Sequence, residues 1–396
     1  MKITYIHQYF NTPETGGSLR SYYLAMAMID VGFEVSMITT HNAPSYKFEN
    51  VEGIRVHYLP VAYDNRFGFY RRLISFLLFF IRASWLAFRL DSDLIYATST
   101  PLSTGLTASL IRKLRKTPYI FEVRDLWPKA PIELGFIKNS WAVKILEYME
   151  KTIYRRAISI VALSEPMRTY IEQRSPGKMI DVITNMSDIS FFSENNREKL
   201  EEKRAKFNIG YIGSAGYVNN LRCLLQTAAY FSREHPGFAY FIIAAKGKEL
   251  NDLKQYAQAE GLKNVRFMDY QNREGLRRLL RTLDFTYLSF LPHPVLETSS
   301  PNKLFDSLAA GIPVISNSDG WWVDELEQRK CGLHYSSDRP EDLYTNLTEI
   351  ASNPSALTDM KANAQALAKE KYSREQRGSH LIAHIRNSYA NYLRGL

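Results

Sequence analysis

The sequence predicts an α/β protein with two doubly wound parallel sheets, one built after the other along the chain. Segments of strand type and helix type alternate through the first half, which is the pattern of a parallel sheet with crossover helices. A polar and charged stretch over residues 186–206 interrupts this alternation, which then restarts. At 396 residues the chain is also too long for one compact core, so two domains are expected.

The first half begins with a strand at residues 2–6, which leads into a loop that carries Gly16 and Gly17. Further strands are predicted at 35–39, 55–59, 94–97, 119–123 and 159–163, and helices at 18–30, 102–116 and 140–156. Together these elements predict a Rossmann-like N-terminal domain at residues 1–195.

The second half repeats the pattern, with strands predicted at 208–212, 239–245, 265–267, 285–289 and 314–316. They predict a second Rossmann-like domain at residues 204–370. Residues 371–396 are expected to form a helix that returns to the N-terminal domain. Two such domains facing each other bind their ligands in the cleft between the carboxyl ends of both sheets.

The composition indicates which classes of molecule the chain can bind. A net charge of +9 suits nucleic acid, an anionic membrane or anionic substrates. Nucleic acid is the weakest of these, because the chain has neither zinc-knuckle spacing nor an RNA-recognition aromatic motif. The two cysteines, Cys223 and Cys331, are far apart, and the chain opens on a strand pattern instead of a signal peptide. Both features predict a cytoplasmic protein.

Residues 66–90 combine Phe, Leu, Ile and Trp with several arginines. The uncharged core at 73–81 is shorter than the roughly 20 residues that a spanning helix needs. Basic residues flanking large apolar ones favour a segment that lies in the headgroup layer at the inner membrane face. The alternative is a core helix whose arginines reach back to solvent.

The most informative motif is SSPNKLFDSLAAG at residues 299–311. Ser300 suits an N-cap, Pro301 suits the first helical position, and Gly311 suits the left-handed position just past the end. The motif therefore predicts a short helix whose start is well defined.

The first amides of this helix belong to Asn302, Lys303 and Leu304 and have no partner within the helix. With the helix dipole and the Lys303 charge they form an anion site suited to a diphosphate. Asp306, one turn further, is placed to accept the hydroxyls of a ribose. The alternative is an ordinary crossover helix in which Lys303 and Asp306 pair with each other.

Two glycine turns follow the first strands of the two domains. Gly16 and Gly17 open a helix in which Arg20 lies one turn in, and Gly213 opens the corresponding turn of the second domain. Backbone amides of such turns approach a phosphate closely. Lys246, after the next strand, is placed to reach the same diphosphate. A plain tight turn and a solvated surface lysine are the alternatives.

The segment FEVRDLWP places Arg124 and Asp125 directly after an apolar strand. We assign both as candidate catalytic residues that orient an acceptor hydroxyl or the donor sugar. Trp127 and the helical Arg20 are candidate acceptor-binding residues. A structural pair of Arg124 with Asp125 is the alternative.

No metal site is predicted. Asp91-Ser92-Asp93 resembles a metal-binding DxD motif, but it lies just before a strand and therefore at the wrong end of the sheet. His380 and His384 have HxxxH spacing within the tail helix, without a further ligand close by in sequence.

The motifs together resemble the family 4 glycosyltransferases of the two-domain GT-B fold, and among them the WbuB-like branch. The resemblance covers nearly the whole chain and rests on IHQYFNTPETGGSLRSYYLA, YATSTPLSTGL, FEVRDLWPKAPIELG, YRRAISIVALSEPM, SSPNKLFDSLAAGIPVI and SDGWW. It implies a retaining transfer from a UDP-sugar without a metal or other cofactor. In this family the departing diphosphate helps to take the acceptor proton, so catalysis is mostly positioning and electrostatics.

Residue by residue, Asp306 matches the second Glu of the family's E-x7-E pattern. The first Glu falls at Thr298, with Glu297 one place early, so both are candidate donor-binding residues. The Arg and Lys that many members place after the glycine turn fall at Ser214 and Asn219.

These departures move diphosphate binding toward Lys303, Lys246 and the backbone amides. Pro301 is a further candidate donor-binding residue. A histidine common in the family after the central strand of the N-terminal domain appears as Arg124.

The sequence thus predicts a membrane-peripheral enzyme that moves a sugar from a UDP-sugar to a lipid-linked saccharide, in cell-surface polysaccharide synthesis such as O-antigen or capsule. An N-acetylated deoxyhexose such as N-acetylfucosamine is the expected sugar. A GT-B-type UDP-sugar epimerase, a transferase with a soluble acceptor and a non-catalytic nucleotide-sugar-binding protein remain alternatives.

Overall fold

The computed structural model describes residues 1–64, 67–193 and 204–395. They form two compact units: Met1–Thr184 with Glu375–Leu396, and Asn185–Arg374. The boundary expected after residue 195 and residues 194–203 of the linker expected at 186–206 lie outside the described residues, as does Arg66. The predicted α/β class with two parallel Rossmann-like sheets is confirmed.

The sheet of the first unit has eight strands, all parallel except β3, which is antiparallel to β4. In chain order they are β1 (Lys2–Ile6), β2 (Glu34–His41), β3 (Lys47–Val51), β4 (Ile54–Pro60), β5 (Leu94–Thr98), β6 (Tyr119–Val123), β7 (Ser159–Ala162) and β8 (Ile180–Val182). Their order across the sheet is β3-β4-β2-β1-β5-β6-β7-β8. The direction of winding reverses between β1 and β5, and ligands of such sheets bind outside the carboxyl ends at that point.

Six helices connect these strands: α1 (Arg20–Asp30), α2 (Phe69–Arg89), α3 (Ser103–Arg115), α4 (Lys129–Glu133), α5 (Ser140–Arg156) and α6 (Glu165–Arg174). α5 has the predicted bounds because the Asn139 side chain caps it and accepts from the Ala142 N–H at 3.0 Å. α1 begins two residues later than predicted, since the chain is still turning out of the glycine loop at Leu19. None of the described helices combines the length and the apolarity needed to cross a membrane.

The sheet of the second unit has six parallel strands in the order β11-β10-β9-β12-β13-β14. In chain order they are β9 (Phe207–Ser214), β10 (Ala239–Lys246), β11 (Val265–Met268), β12 (Phe285–Leu288), β13 (Val314–Ser316) and β14 (Gly332–His334). The helices are α7 (Ile189–Phe192), α8 (Leu221–Glu234), α9 (Leu250–Ala259), α10 (Arg273–Leu280), α11 (Pro294–Glu297), α12 (Asn302–Ala309), α13 (Trp322–Gln328), α14 (Pro340–Ser352) and α15 (Ala356–Leu367). Here the winding reverses between β9 and β12.

The tail helix α16 (Arg374–Arg394) groups with the first unit from Glu375 onward. His384, which is buried, bonds the Ser159 hydroxyl through Nε2 at 2.9 Å. His380 and His384 both contact the Asp181 carboxylate, at 2.9 and 3.2 Å. The HxxxH histidines therefore fasten the tail helix to β7 and β8.

Candidate functional site

The helix that carries the most informative motif, α12, begins at Asn302. Pro301 occupies the N-cap position without a side-chain bond, because a proline in extended conformation leads into the first turn. Ser300 is not the cap, and that prediction is wrong: its hydroxyl instead accepts from the Asn185 N–H at 3.2 Å. Within the described part of the chain, the N–H groups of Asn302 and Lys303 have no acceptor, whereas that of Leu304 bonds the Pro301 carbonyl. Two amides of the predicted anion site are thus available, not three.

The Lys303 side chain has no counter-charge among the described residues. Its Nζ donates to the Tyr211 hydroxyl at 2.9 Å and lies 3.5 Å from Oδ1 of Asn219. No carboxylate of the described residues lies within ion-pair distance, so the pairing with Asp306 that the sequence left open does not occur. Burial lowers the pKa of Lys303 to about 7. An anion bound here would supply the charge that stabilises the ammonium form.

Tyr211 connects this lysine to the glycine turn. Its hydroxyl donates to the Ser214 carbonyl at 2.8 Å while it accepts from Lys303. The turn begins at Gly213, which has a φ of +145°. The structure therefore brings Gly213 and Lys303 together where the second sheet reverses its winding.

Lys246 reaches the same turn through its backbone. It pairs with Ser214 in the sheet, and its carbonyl accepts from the Ala215 N–H at 2.8 Å. A Cβ on Gly247 would lie 2.1 Å from the Ala215 carbonyl oxygen, so only glycine permits this approach. The Lys246 side chain is exposed, with Nζ 3.7 Å from the ring centroid of Tyr270.

Asp306 and Lys303 line one cavity of about 20 Å³, although no ion pair joins them among the described residues. Leu276 and Leu280 of α10 and Thr286 of β12 also line this cavity. Burial raises the pKa of Asp306 to about 7, an effect that the charge of Arg273 partly offsets. A carboxyl group in this setting is half protonated near neutral pH.

Glu297 and Thr298 end the short helix α11. The Thr298 hydroxyl donates to the Val295 carbonyl at 2.8 Å. Partial burial and the neighbouring charge of Asp319 raise the pKa of Glu297. The indole N–H of Trp321 donates to the Ser299 carbonyl at 2.7 Å, so the SDGWW segment supports the chain just before α12.

In the first unit, Arg124 links the end of β6 to the glycine loop after β1. Its guanidinium donates to the Ser18 hydroxyl at 2.8 Å and contacts Nε2 of His7 at 3.2 Å. Ser18 follows Gly16 and Gly17, which have φ values of +70° and +92°. Gly16, Gly17 and Arg124, which were all predicted as site residues, thus lie where the first sheet reverses its winding.

His7 has a defined tautomer at this position. Burial and the charge of Arg124 hold the pKa of His7 well below its ordinary value, so the ring is neutral. A guanidinium only donates, so Nε2 accepts from Arg124, and the proton on Nδ1 bonds the Ser21 hydroxyl at 2.8 Å. His7 is therefore a neutral acceptor that orients Arg124.

Arg20, predicted to bind the acceptor, has a different role. It is buried, and its guanidinium donates twice to the Glu122 carboxylate and also to the carbonyls of Ile183 and Thr184. Its side chain is 1% exposed, so it does not present donors to a ligand. The reason is that the first turn of α1 faces the buried strand β6.

Asp125 and Trp127 follow Arg124 on the same loop. Asp125 has an exposed side chain, and among the described residues it forms no ion pair with Arg124. Desolvation nevertheless raises the pKa of the Asp125 carboxyl, and the charge of Arg124 partly offsets this rise. The backbone N–H of Trp127 donates to the Asp125 carbonyl at 2.9 Å, and the Trp127 side chain is partly exposed.

No group of three His, Cys, Asp or Glu side chains is arranged as metal ligands in the part of the chain that the structure describes. Asp91 and Asp93 bond Lys2 at the amino ends of β1 and β5.

Sequence reasoning missed His7 and Tyr211 as site residues. His7 directly follows the first strand, at the edge where ligands of such sheets bind, and that position was the available signal. Tyr211 lies inside β9 and looks like an ordinary core residue, so no local pattern distinguishes it.

Two family models match the chain, one in each half. Residues 15–185 match the family described as glycosyl transferase 4-like domain. Residues 192–367 match the glycosyl transferases group 1. No curated protein matches the chain.

Solved structures share the fold over nearly the whole chain. Sucrose-phosphate synthase from Thermosynechococcus elongatus has a TM-score of 0.78 at 15% identity, covering 98% of this chain and 99% of that chain. Anabaena Alr3699/HepE in complex with UDP and glucose has 0.71 at 15%, covering 98% and 100%. WaaG, a glycosyltransferase involved in lipopolysaccharide biosynthesis, has 0.68 at 12%, covering 96% and 99%.

Proposed function

We propose that this chain, which belongs to the GT-B glycosyltransferases with a 4-like domain and a group 1 domain, transfers a sugar from a UDP-sugar to a lipid-linked saccharide. The observation that carries the proposal is the partly buried Lys303 ammonium, which has no carboxylate partner among the described residues. A diphosphate supplies the missing negative charge and accepts from the two available amides at the start of α12. Anabaena HepE, which has the same fold, binds UDP-glucose.

The donor site comprises the Gly213 turn, Lys303 and the start of α12, with Lys246 at its edge. Lys303 stabilises the negative charge that develops on the departing diphosphate. We propose a retaining transfer without a metal or other cofactor, in which this diphosphate takes the acceptor proton. An N-acetylated deoxyhexose, as in the WbuB-like branch, is the proposed sugar.

Arg124 is the proposed catalytic residue of the first unit. It is held by His7 and Ser18, so its remaining N–H groups have a defined direction toward a substrate hydroxyl. Asp125 is exposed on the same loop and is proposed to accept from that hydroxyl.

The proposed location is the cytoplasmic face of a membrane, where a lipid-linked acceptor resides. α2 supports this, because it exposes Leu73, Ile74, Leu77, Ile81 and Trp85 and contains no acidic residue. Its basic residues complement anionic headgroups.

The test is incubation of the full chain with a panel of UDP-sugars and lipid-linked saccharides, with UDP release and product mass as readouts. UDP and a lengthened saccharide are expected from one pair. A changed UDP-sugar without an acceptor product would favour an epimerase. UDP binding without turnover of any donor would favour a non-catalytic nucleotide-sugar-binding protein.

A further inference from the structure

A second apolar stripe lies on the first unit, separate from α2. Trp141, Ile145 and Tyr148 of α5 are 74%, 57% and 71% exposed. Their spacing of four and three residues places all three on one face of the helix. We call this set the α5 stripe. Three large exposed side chains in a row on one helix are unusual for a surface that faces only water.

The charges beside the α5 stripe have one sign. Lys144 and Lys151 are exposed on the same helix, and Lys144 approaches the Trp141 ring. The acidic residues of α5 are Glu147, which pairs with Arg174 at 3.1 Å, and Glu150, which is buried. Glu147 is thus the one partly exposed carboxylate of α5, and Arg174 offsets its charge.

The α5 stripe lies on the same side of the sheet as α2. α3 packs against both α2 and α5. The crossovers β4-α2-β5, β5-α3-β6 and β6-α5-β7 all advance in one direction across the sheet. Right-handed crossovers that advance in one direction place their helices on one face.

α3 packs against the C-terminal half of α5, where Gly105 lies next to Ile153, and α3 contains no acidic residue. The α5 stripe with Lys144 and Lys151 combines large apolar side chains with cations, which is complementary to the interface of an anionic bilayer. Trp and Tyr are also the side chains that prefer the headgroup level.

We propose that the α5 stripe, with Lys144 and Lys151, is a second membrane-contacting element that binds anionic phospholipid together with α2. It deepens the proposed function, from which it takes the membrane location. Two contacts on one face hold the unit in a fixed orientation, whereas a single amphipathic helix permits rotation about its axis.

The test uses the full chain and vesicles of phosphatidylcholine with and without phosphatidylglycerol. The α5 variant W141S/I145S/Y148S is expected to bind the anionic vesicles at least tenfold more weakly than the unmodified chain. K144E/K151E is expected to weaken binding to the anionic vesicles and to leave binding to phosphatidylcholine unchanged. The matched control is Phe48→Ser, since Phe48 of β3 is 52% exposed and lies outside the three helices.

Two outcomes would overturn the inference. One is vesicle binding of both α5 variants equal to that of Phe48→Ser. The other is a vesicle-independent dimer that the α5 variants dissociate, which would make the stripe a contact between copies. UDP affinity, measured in solution without vesicles, tests the donor site separately and is expected to be unchanged in every variant.

Discussion

The Lys303 ammonium donates to the Tyr211 hydroxyl at 2.9 Å, and that hydroxyl donates to the Ser214 carbonyl at 2.8 Å. The start of α12 is thus joined to the end of β9 and its glycine turn, 92 residues earlier in the chain. The hydrogen-bond partners of Lys303 in the described part of the chain are the neutral side chains of Tyr211 and Asn219, so its charge is available to a ligand.

Replacing Lys303 by Met is expected to weaken UDP binding roughly 10- to 150-fold, the loss of a hydrogen bond to a charged group. The ligand-free protein should not lose stability, because the change removes a buried charge that no described carboxylate neutralises. Calorimetric titration with UDP and thermal unfolding measure the two effects. Lys254→Met, at an exposed position of α9, is the matched control. Equal UDP affinity in the two variants would contradict the donor site.

The pH dependence of UDP binding follows from the same lysine. Its pKa of about 7 in the ligand-free protein means that the ammonium loses its proton above that pH. The UDP dissociation constant should therefore rise above pH 7, by up to roughly tenfold per pH unit. In Lys303→Met this rise should disappear, and a rise that persists would show that another group causes it.

The stability of the ligand-free protein should change in the opposite sense. In the unfolded chain Lys303 keeps its ordinary pKa of 10.5, so the unfolded state binds the extra proton between about pH 7 and 10.5. The contribution of Lys303 to the free energy of unfolding therefore increases with pH across that window. Urea unfolding at several pH values, compared with Lys303→Met, measures it. If the free energy of unfolding changed with pH in the same way in both proteins, the lowered pKa of Lys303 would be contradicted.

His7→Phe is expected to lower turnover and to leave UDP affinity unchanged, because it removes the acceptor that orients Arg124 and not a donor contact. His7→Gln can present an acceptor oxygen to the guanidinium and should restore part of the turnover. Steady-state kinetics, with the UDP-sugar and saccharide that the panel of substrates identifies, measure both. Loss of UDP affinity equal to the loss of turnover would indicate a structural role only.

Glu122→Gln is expected to destabilise the first unit by about 3–5 kcal/mol, since it leaves the buried Arg20 guanidinium without its counter-charge. Burial alone raises the pKa of Glu122, but Arg20 outweighs this, so the pKa lies below its ordinary value. The matched control is Glu49→Gln, whose ion pair with Lys47 is exposed and should contribute at most about 1 kcal/mol. If the two variants had similar thermal midpoints, the buried pair of Arg20 with Glu122 would contribute no more to stability than the exposed pair of Lys47 with Glu49.

The sequence by itself determined the alternation of strands and helices and many of their bounds. β6 and α5 have the predicted limits, because an apolar run and an Asn cap are local signals. The strands β3, β8 and β14 were not predicted. β8 and β14 have three residues each and β3 is a polar edge strand, so their pairing depends on a neighbouring strand more than on their own pattern.

Only the tertiary structure decided which polar residues meet. Arg20 and Arg124 look alike in sequence, since each is a cation close to the end of a strand. Arg20 pairs with buried Glu122, whereas Arg124 is held by His7 and Ser18 and keeps N–H groups free for a ligand. Ser300 likewise has the pattern of a cap and bonds Asn185 instead. Propensities and caps act over a few residues, but burial and charge pairing join residues far apart in the chain, so the site required the fold.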